Sequence, residues 1–264
     1  MTLNLVKKEL SDIDYKIFTF PDGEIQIELL SDIKDSIVDI ECRITCANDL
    51  FILMQVGDIL NRLEIKFTIA IYYLMSMRMD RVMSIGRPYS LKIIMGIINS
   101  LNPQEIFVYE PHSNKLVNSG IFNDEIRNIL DMYEDDILVY PDEGAYDRYS
   151  NQFYRPKYIE CTKIRNLETG KIEYYDIDHT ALDIDGDLLV IDDLCDGGNT
   201  FRLLANSLKN KYPDKKLKIF VTHMVNPKGI ETLSEYYDEV YFTNSYKDWD
   251  NLPDNVTMID LWKN

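Results

Sequence analysis

The chain has 264 residues, and its 45 acidic against 28 basic side chains give a formal net charge of −17 at pH 7. This charge argues against generic binding to nucleic acid or to an anionic membrane surface, because charges of one sign repel each other. It does not exclude a phosphorylated substrate, since a divalent cation held by carboxylates inverts the sign of a site locally. The length allows one large domain or two ordinary ones, and two are expected, at 1–134 and 135–264.

The cysteines indicate the compartment in which the protein works. Cys42, Cys46, Cys161 and Cys195 are scattered without paired metal-ligand spacing. They are expected to be buried small hydrophobic residues in a reducing compartment. The amino terminus lacks an apolar segment with a cleavage site, and charge breaks the longest apolar stretches well short of a membrane span. The expected location is therefore the cytoplasm.

Apolar patterns predict alternating strands and helices along the first half of the chain. FILMQV at 51–56 is expected to be a buried strand, followed by a partly helical segment, GDILNRLEIKFTIA, and by a strand, FTIAIYYLM, at 67–75. The other predicted elements are two short strands within 15–29 around the turn Pro21-Asp22-Gly23, an amphipathic helix SLKIIMGIINSL ending before Asn102-Pro103, and a strand EIFVYEP at 105–111.

A second series of strands begins after the acidic stretch MYEDD, which is why the domain boundary is placed at residue 134. The predicted elements of this half are the strands DDILVY, YIECTKIRN, EYYDID and LLVIDDL, a helix at 201–210, a strand at 218–224, a short helix at 228–236, and strands at 239–245 and 256–262. Such alternation implies mostly parallel sheets with right-handed crossovers. The predicted fold class is therefore α/β, with two domains that each contain a mostly parallel sheet flanked by helices.

The segment VIDDLCDGGNT at 190–200 is the first candidate site. It predicts a strand and a tight loop that lead into the helix at 201–210, the place where ligands bind in open α/β sheets. Backbone amides around Gly197 and Gly198 can hold a phosphate at the amino end of that helix. Asp192 and Asp193 would then accept hydrogen bonds from ribose hydroxyls or help to hold a hard cation. The structural alternative is a strand end whose acidic residues cap a helix.

The order of acidic and small residues in this segment resembles the ribose 5-phosphate loop of two families, type I phosphoribosyltransferases and ribose-phosphate diphosphokinases. FPDGEIQIEL at 20–29 favours the second family, because it is similar to a Phe-x-Asp-Gly-Glu segment that the transferases lack. Further matches follow in family order from Phe20 to Ser245: YYLMSMRMDR, GRPYSLKI, VYEPHSN, VYPDEGA, CTKIRN, VTHM and FTNS.

The chain thus resembles a short, divergent ribose-phosphate diphosphokinase, also called ribose-phosphate pyrophosphokinase or phosphoribosyl diphosphate synthetase. The resemblance implies two phosphoribosyltransferase-like domains and transfer of the β,γ-diphosphate of Mg·ATP to the C1 hydroxyl of a ribose 5-phosphate moiety, with release of AMP. It also implies Mg²⁺ as cofactor, ATP binding by residues 1–134, the ribose-phosphate loop in 135–264, and a homo-oligomer with ATP sites at subunit interfaces. Such phosphoryl transfer depends on positioning and charge neutralisation.

The resemblance assigns roles to individual positions. Lys163 and Arg165, expected in a loop, would stabilise charge on the transferring group, while His112 and Asp142 would hold the metal ion. The ATP-binding positions are Asp22, Glu24, Arg78, Asp80 and Arg81. The ribose-phosphate-binding positions are Asp192, Asp193, Asp196, Gly197, Gly198, Asn199 and Thr200.

Each of these assignments has a structural alternative. Lys163 and Arg165 would otherwise be an exposed basic pair on a hairpin, Asp142 a turn residue and His112 a structural histidine. The ATP-binding positions would be a hairpin turn and a cluster of ion pairs at a strand end.

The chain departs from the family pattern in three places. The family's opening strand and helix have no match ahead of Phe20, so an edge element is expected to be missing. Met77 and Met79 replace the usual Ala and Gln, which removes a hydrogen-bonding amide near ATP. Asn199 replaces a glycine of the loop, and Gly197 replaces a threonine.

The changed loop suggests a reshaped 5-phosphate pocket that is open to a 5-phosphate carrying a further group. ADP-ribose has such a group and the same free C1 hydroxyl. A branch of the family found in bacteriophages is understood to use it in a pathway that rebuilds NAD, and the location would then be the host cytoplasm. Ribose 5-phosphate and ADP-ribose both remain open as acceptors.

Two further classes compete with this interpretation. A phosphoribosyltransferase would use the same loop without needing ATP. A catalytically silent regulatory homologue would be expected to lose the metal and basic residues, yet His112, Asp142, Lys163 and Arg165 are present.

Overall fold

The chain divides into two compact units, Met1–Phe122 and Asn123–Asn264. The computed structural model describes residues 1–33, 37–113, 115, 120–122, 124–151, 153, 155, 157–165, 172–177 and 185–262.

The first unit contains a sheet of parallel strands in the order β1-β4-β5-β6-β7 and a separate antiparallel pair, β2 and β3. Its strands are β1 (Thr2–Asn4), β2 (Tyr15–Thr19), β3 (Ile25–Leu29), β4 (Ile37–Ile44), β5 (Lys66–Leu74), β6 (Glu105–Tyr109) and β7 (Gly120–Phe122). Its helices are α1 (Ala47–Arg62) and α2 (Ser90–Ser100).

An opening strand is present, so the expectation of a missing element ahead of Phe20 is wrong. β1 pairs in parallel with β4 at the edge of the sheet, and a single 3₁₀ turn, Lys8–Leu10, follows it. A strand of this length is too short to show a periodic pattern, and Leu3 at its centre is fully buried.

The expected strand at 51–56 is also wrong, because these residues lie within α1. A continuous apolar run fits a buried strand and a buried helix equally well. The start of α1 decides for the helix: the Asp49 carboxylate accepts hydrogen bonds from the backbone N–H groups of Thr45 and Cys46, at 2.8 and 3.1 Å. The strand of this region is β4, which the sequence patterns did not predict.

The second unit contains a sheet in the order β10-β9-β8-β11-β12-β13-β14, parallel throughout except between β9 and β10. Its strands are β8 (Ile137–Tyr140), β9 (Tyr158–Arg165), β10 (Ile172–Ile177), β11 (Leu188–Cys195), β12 (Leu217–Met224), β13 (Glu239–Thr243) and β14 (Val256–Ile259). Its helices are α3 (Asp124–Met132), α4 (Glu143–Tyr149), α5 (Asn199–Lys211) and α6 (Pro227–Tyr236).

Two apolar clusters cover opposite faces of the second sheet, because successive side chains of a strand point to opposite sides. Leu188 and Val190 of β11 pack with α5 and α6, whereas Leu189 and Ile191 pack with α3 and α4. The fold prediction of mostly parallel sheets flanked by helices is therefore confirmed. The division between the units lies ahead of residue 134, since α3 packs into the core of the second unit.

Two further expectations concern the burial of the cysteines and the presence of membrane-spanning segments. Cys42, Cys161 and Cys195 are buried free thiols as expected, but Cys46 is exposed where it caps α1. Burial raises the pKa of the Cys161 thiol to about 12. In the described ranges, none of the helices has both the length and the apolar composition needed to cross a membrane.

Candidate active site

The carboxyl ends of three neighbouring strands bring acidic and basic side chains together in the second unit. β8 lies between β9 and β11, which run parallel to it and extend beyond its last residue. Asp142 comes just after β8, whereas Lys163 and the pair Asp192-Asp193 lie on the extended parts of β9 and β11. We call Asp142, Asp192 and Asp193, together with the Lys163 ammonium group beside them, the carboxylate cluster.

Asp142 is fixed between a helix and a lysine. Its backbone is extended, and one carboxylate oxygen accepts a hydrogen bond of 2.9 Å from the N–H of Ala145, which caps α4. The other oxygen accepts a hydrogen bond from the ammonium group of Lys163. Burial alone would raise the pKa of Asp142, but the hydrogen bond and the charge of Lys163 hold it below its ordinary value. Asp142 is therefore an anion at neutral pH.

Asp192 and Asp193 share a cationic partner, Arg148 of α4. The Arg148 Nη1 atom lies 2.6 Å from one oxygen of Asp193 and 3.7 Å from one oxygen of Asp192. The side chains are only 13% exposed for Arg148, 16% for Asp192 and 3% for Asp193. A buried carboxylate needs such a partner, because removing an ion from water costs several kcal/mol.

The surroundings of Asp192 disfavour its ionised form. Burial raises its pKa well above the ordinary value, and the charges of Asp193 and Asp142 raise it further, against the lowering effect of Arg148. The ionised form of Asp192 is therefore less stable in the folded protein than in the unfolded chain.

Replacement of Asp192 by asparagine is expected to raise the melting temperature at pH 7. Because the folded protein binds the Asp192 proton more tightly, its stability falls as pH rises above the ordinary pKa of 3.8. Asparagine does not titrate, so the gain should be larger at neutral pH and shrink as pH falls toward about 4. Thermal unfolding across this range measures the effect, with Asp250→Asn on the exposed surface as control. A lower melting temperature for Asp192→Asn at pH 7 would contradict it.

The loop of Asp196, Gly197 and Gly198 is supported by helix α6. Gly198 has a φ of +76°, and a Cβ there would lie 2.7 Å from the Cβ of Thr232. A Cβ at Gly229 would lie 2.1 Å from the backbone oxygen of Asp196. Both glycines are thus required for the close approach of α6 to the loop. The Asn226 amide also donates to the Asp196 carboxylate at 3.0 Å.

Asn199 and Thr200 are the first residues of α5, so the helix begins two residues ahead of its predicted start at 201. The Asn199 side-chain oxygen accepts hydrogen bonds from Nη2 and Nε of Arg202, at 2.8 and 3.3 Å. Around Gly197, a Cβ would meet no atom within 4 Å, so its surroundings are open. The loop therefore combines an open position with a guanidinium group that Asn199 holds at the start of the helix.

Lys163 and Arg165 lie in a strand, so the expected loop is wrong for these positions. Both belong to β9, which pairs with β10 in antiparallel register, Lys163 opposite Tyr175 and Arg165 opposite Ile172. The connection at 166–171 lies outside the described residues. Lys163 is thus held by the sheet, and its side chain is 20% exposed.

In the first unit, the predicted ATP-binding residues after β5 meet residues that follow β6. Asp80 accepts a hydrogen bond of 3.0 Å from the Ser113 hydroxyl, next to His112, and lies 3.3 Å from the Lys115 ammonium. Arg81 is 3.9 Å from the same carboxylate and 70% exposed. Burial would raise the pKa of Asp80, but the hydrogen bonds from Ser113 and Lys115 lower it. Arg78 lies in the turn just before Asp80.

Asp22 and Glu24 lie in the turn between β2 and β3. An Asp22 oxygen accepts a hydrogen bond of 3.1 Å from the Glu24 N–H, and Gly23 adopts a φ of +95°. Gln55 of α1 attaches this hairpin to the unit, because its amide donates to the Ile25 carbonyl and accepts from the Ile27 N–H, at 2.9 and 3.0 Å.

The proposed metal ligands do not form a complete metal cage. Among the described residues, no group of three or more His, Cys, Asp or Glu side chains is arranged to hold a metal ion. His112 belongs to the first unit and Asp142 to the second. Magnesium commonly binds through one or two carboxylates together with waters and substrate phosphates, so a single carboxylate such as Asp142 fits an ion carried by a nucleotide.

Sequence patterns missed Arg148, Asn226 and Gly229. Arg148 had only a weak signal, because it follows Asp142 closely along the chain and the helix α4 that carries it was not predicted. Asn226 and Gly229 belong to α6 and its cap, and their relation to the loop depends on the packing of two helices that the sequence does not specify.

Comparison with known proteins identifies relatives along almost the whole chain. It is 27% identical over 262 residues to a ribose-phosphate pyrophosphokinase of Pyrococcus abyssi, covering 94% of this chain and 88% of that protein. Over 208 residues it is 29% identical to a ribose-phosphate pyrophosphokinase of Saccharolobus solfataricus, covering 72% and 69%. No family model matches the chain.

A solved structure supports the fold. The crystal structure of phosphoribosylpyrophosphate synthetase from Mycobacterium smegmatis matches with a TM-score of 0.74 and 16% identity, covering 96% of this chain and 88% of that one. The resemblance to ribose-phosphate diphosphokinases that the motifs indicated is confirmed, and the two-unit α/β fold is shared with that structure.

Proposed function

We propose that the protein is an ATP-dependent diphosphotransferase of the ribose-phosphate diphosphokinase type. A ribose C1 oxygen attacks the β-phosphorus of Mg·ATP, the bond between the α,β-bridging oxygen and the β-phosphorus breaks, AMP leaves, and the hydroxyl proton is released. The observation that carries the proposal is the carboxylate cluster beside the loop at 196–198, in a chain similar over nearly its full length to ribose-phosphate pyrophosphokinases.

The second unit supplies the acceptor site in this proposal. Backbone amides of Gly197, Gly198 and Asn199, together with Thr200, bind the 5-phosphate at the amino end of α5, where the helix dipole favours an anion. Asp192 and Asp193 accept hydrogen bonds from the ribose hydroxyls. Asp196 is held by Asn226 at the edge of the loop.

The basic residues of β9 neutralise the charge of the transferring diphosphate. Lys163 is the better supported of the two, because its ammonium group already lies against a carboxylate of the cluster. Arg165 ends the same strand. Electrostatic stabilisation of this kind is the main contribution to phosphoryl transfer.

The nucleotide is assigned to residues of the first unit and to an adjoining copy of the chain. Arg78, Asp80 and Arg81 bind ATP, and Asp22 and Glu24 reach the nucleotide of a neighbouring subunit in a homo-oligomer. Exposed Phe18 and Phe20 on the same hairpin, 38% and 45% exposed, support such a contact. His112 and Asp142 are the residues that would hold magnesium, and the ion would neutralise phosphate charge.

The test is formation of AMP from Mg·ATP with ribose 5-phosphate or ADP-ribose as acceptor, with the diphosphorylated product identified by mass spectrometry. Omission of ATP separates the proposal from a phosphoribosyltransferase, which would transfer the ribosyl group of phosphoribosyl diphosphate to an acceptor base, release diphosphate and need no ATP. Folded protein that forms no AMP with either acceptor rejects the proposal.

The acceptor is ribose 5-phosphate or ADP-ribose, and the contact between Asn199 and Arg202 favours the second. Arg202 places a positive charge near the 5-phosphate site. ADP-ribose has a second phosphate attached to its 5-phosphate, whereas ribose 5-phosphate has no second phosphate. The open surroundings of Gly197 leave room for that group.

Replacement of Asn199 by glycine is expected to lower kcat/KM for ADP-ribose relative to ribose 5-phosphate by about tenfold. The variant loses the hydrogen bonds that hold Arg202, and a hydrogen bond to a charged group contributes about 1.5–3 kcal/mol. Steady-state AMP release with both acceptors measures the ratio. Asn251→Gly is the control, because Asn251 is exposed and has a φ of +54° that glycine also adopts. An unchanged ratio in Asn199→Gly contradicts a role in acceptor choice.

A further inference from the structure

Arg148 connects helix α4 to the acidic end of β11. Asp142, a member of the carboxylate cluster, caps the start of α4, and Arg148 in the last turn of the same helix donates to Asp193 of the cluster. The Arg148 guanidinium also lies over the Tyr149 ring, 5.6 Å from its centre. Contacts on two sides limit the orientations that the guanidinium can take.

The carboxylates that Arg148 contacts are close to one another, and that of Asp193 is deeply buried. Asp193 is 2% exposed as a residue, and its N–H donates to an oxygen of Asp192 at 2.9 Å. Two adjacent carboxylates repel each other, and a cation within hydrogen-bonding distance of one and within 4 Å of the other offsets this repulsion. A guanidinium presents donors in a rigid planar arrangement, which lysine lacks.

We propose that Arg148 is a positioning residue that sets the orientation of Asp192 and Asp193 for a ribosyl acceptor. This inference rests on the proposed function, in which the two carboxylates accept hydrogen bonds from the ribose hydroxyls. Arg148 itself contacts the carboxylates and need not touch the substrate.

This role predicts a change in acceptor recognition more than in ATP use. Arg148→Met should raise KM for the acceptor by about tenfold to a hundredfold. This is the change expected when a hydrogen bond between charged groups is removed. KM for ATP should change little, because the residues assigned to ATP belong to other elements. Arg148→Lys keeps the charge but not the planar donor group, so its acceptor KM should lie between those of wild type and Arg148→Met.

Arg127→Gln is the matched control. The Arg127 guanidinium also lies over an aromatic ring, that of Phe153 at 5.4 Å, but Arg127 is on the exposed side of α3. Loss of an arginine-ring contact alone should therefore leave acceptor KM unchanged. Circular dichroism and thermal unfolding establish that each variant is folded.

Initial rates over a matrix of ATP and acceptor concentrations, together with calorimetric titration of the acceptor, test the inference. Wild-type protein that turns over neither acceptor rejects the proposed function before any variant is compared. With an active wild type, a folded Arg148→Met with wild-type acceptor KM, or with equal changes in KM for ATP and acceptor, overturns the positioning role. Should Arg148→Met not fold, a wild-type acceptor KM in Arg148→Lys overturns it instead.

Discussion

Replacement of Lys163 by alanine is expected to lower kcat by about 10²–10³-fold, the usual loss when one group that stabilises transition-state charge is removed. The ammonium group of Lys163 lies in the carboxylate cluster against Asp142, where an incoming diphosphate would need neutralisation. Initial rates of AMP release under saturating Mg·ATP and acceptor measure the change. KM for the acceptor should change less than kcat, because the phosphate loop and Asp192-Asp193 belong to other elements.

Lys209→Ala is the control for this experiment. Lys209 is in the same unit, and it forms an exposed ion pair with Asp238 at 3.1 Å. Its loss removes the same charge from the chain at a position outside the site. If Lys163→Ala keeps wild-type kcat, the assignment of Lys163 is wrong. If wild type and Lys163→Ala both show only background rates, the catalytically silent homologue becomes the better interpretation.

Replacement of Gly229 by alanine is expected to destabilise the protein by about 1–3 kcal/mol or more and to raise KM for the acceptor. The new Cβ would lie 2.1 Å from the backbone oxygen of Asp196 and 3.0 Å from the sulfur atoms of Cys195 and Met224. A backbone oxygen cannot move aside as a long side chain can. Either α6 or the loop must therefore shift, and a shift of the loop displaces the amides that we propose bind the phosphate.

Urea unfolding monitored by circular dichroism measures the first effect, and steady-state kinetics measures the second. Gly96→Ala is the control, since Gly96 lies inside α2 and a Cβ there would meet no atom within 4 Å. That substitution should stabilise the helix by about 0.5–1 kcal/mol. A Gly229→Ala protein as stable as wild type, with wild-type acceptor KM, would show that α6 does not set the position of the loop.

The sequence predicted the strand, loop and helix around Gly197 and Gly198 because the signals for these elements are local. An apolar strand, a pair of glycines and the start of an amphipathic helix follow one another within 190–210, and each has its own pattern. The neighbourhood of β8, β9 and β11 was less accessible, because the helix α4 between β8 and β9 was not predicted. That Asp142 and Asp192 lie at the same edge of a sheet is known only from the observed strand order.

The errors came from features that depend on tertiary packing. Residues 51–56 were expected to form a strand, because an apolar run carries no period that separates a strand from a buried helix. The actual strand, β4, alternates buried and more exposed residues but contains Asp39, Glu41 and Arg43, which give it a polar composition. Arg148 was not identified because its partners, Asp192 and Asp193, are distant in sequence and meet it only when α4 packs on the sheet.

The pairing of β9 imposes a constraint of its own on the site. Tyr140, the last residue of β8, is opposite Glu160, and Lys163 is opposite Tyr175 of β10. Because side chains alternate between the faces of a strand, removal of one residue between Glu160 and Lys163 would turn the lysine to the other side of the sheet. Such a chain could keep its core and its full set of reactive groups and still lack activity. For this strand, the face of the sheet to which each side chain points matters as much as the identity of the side chain.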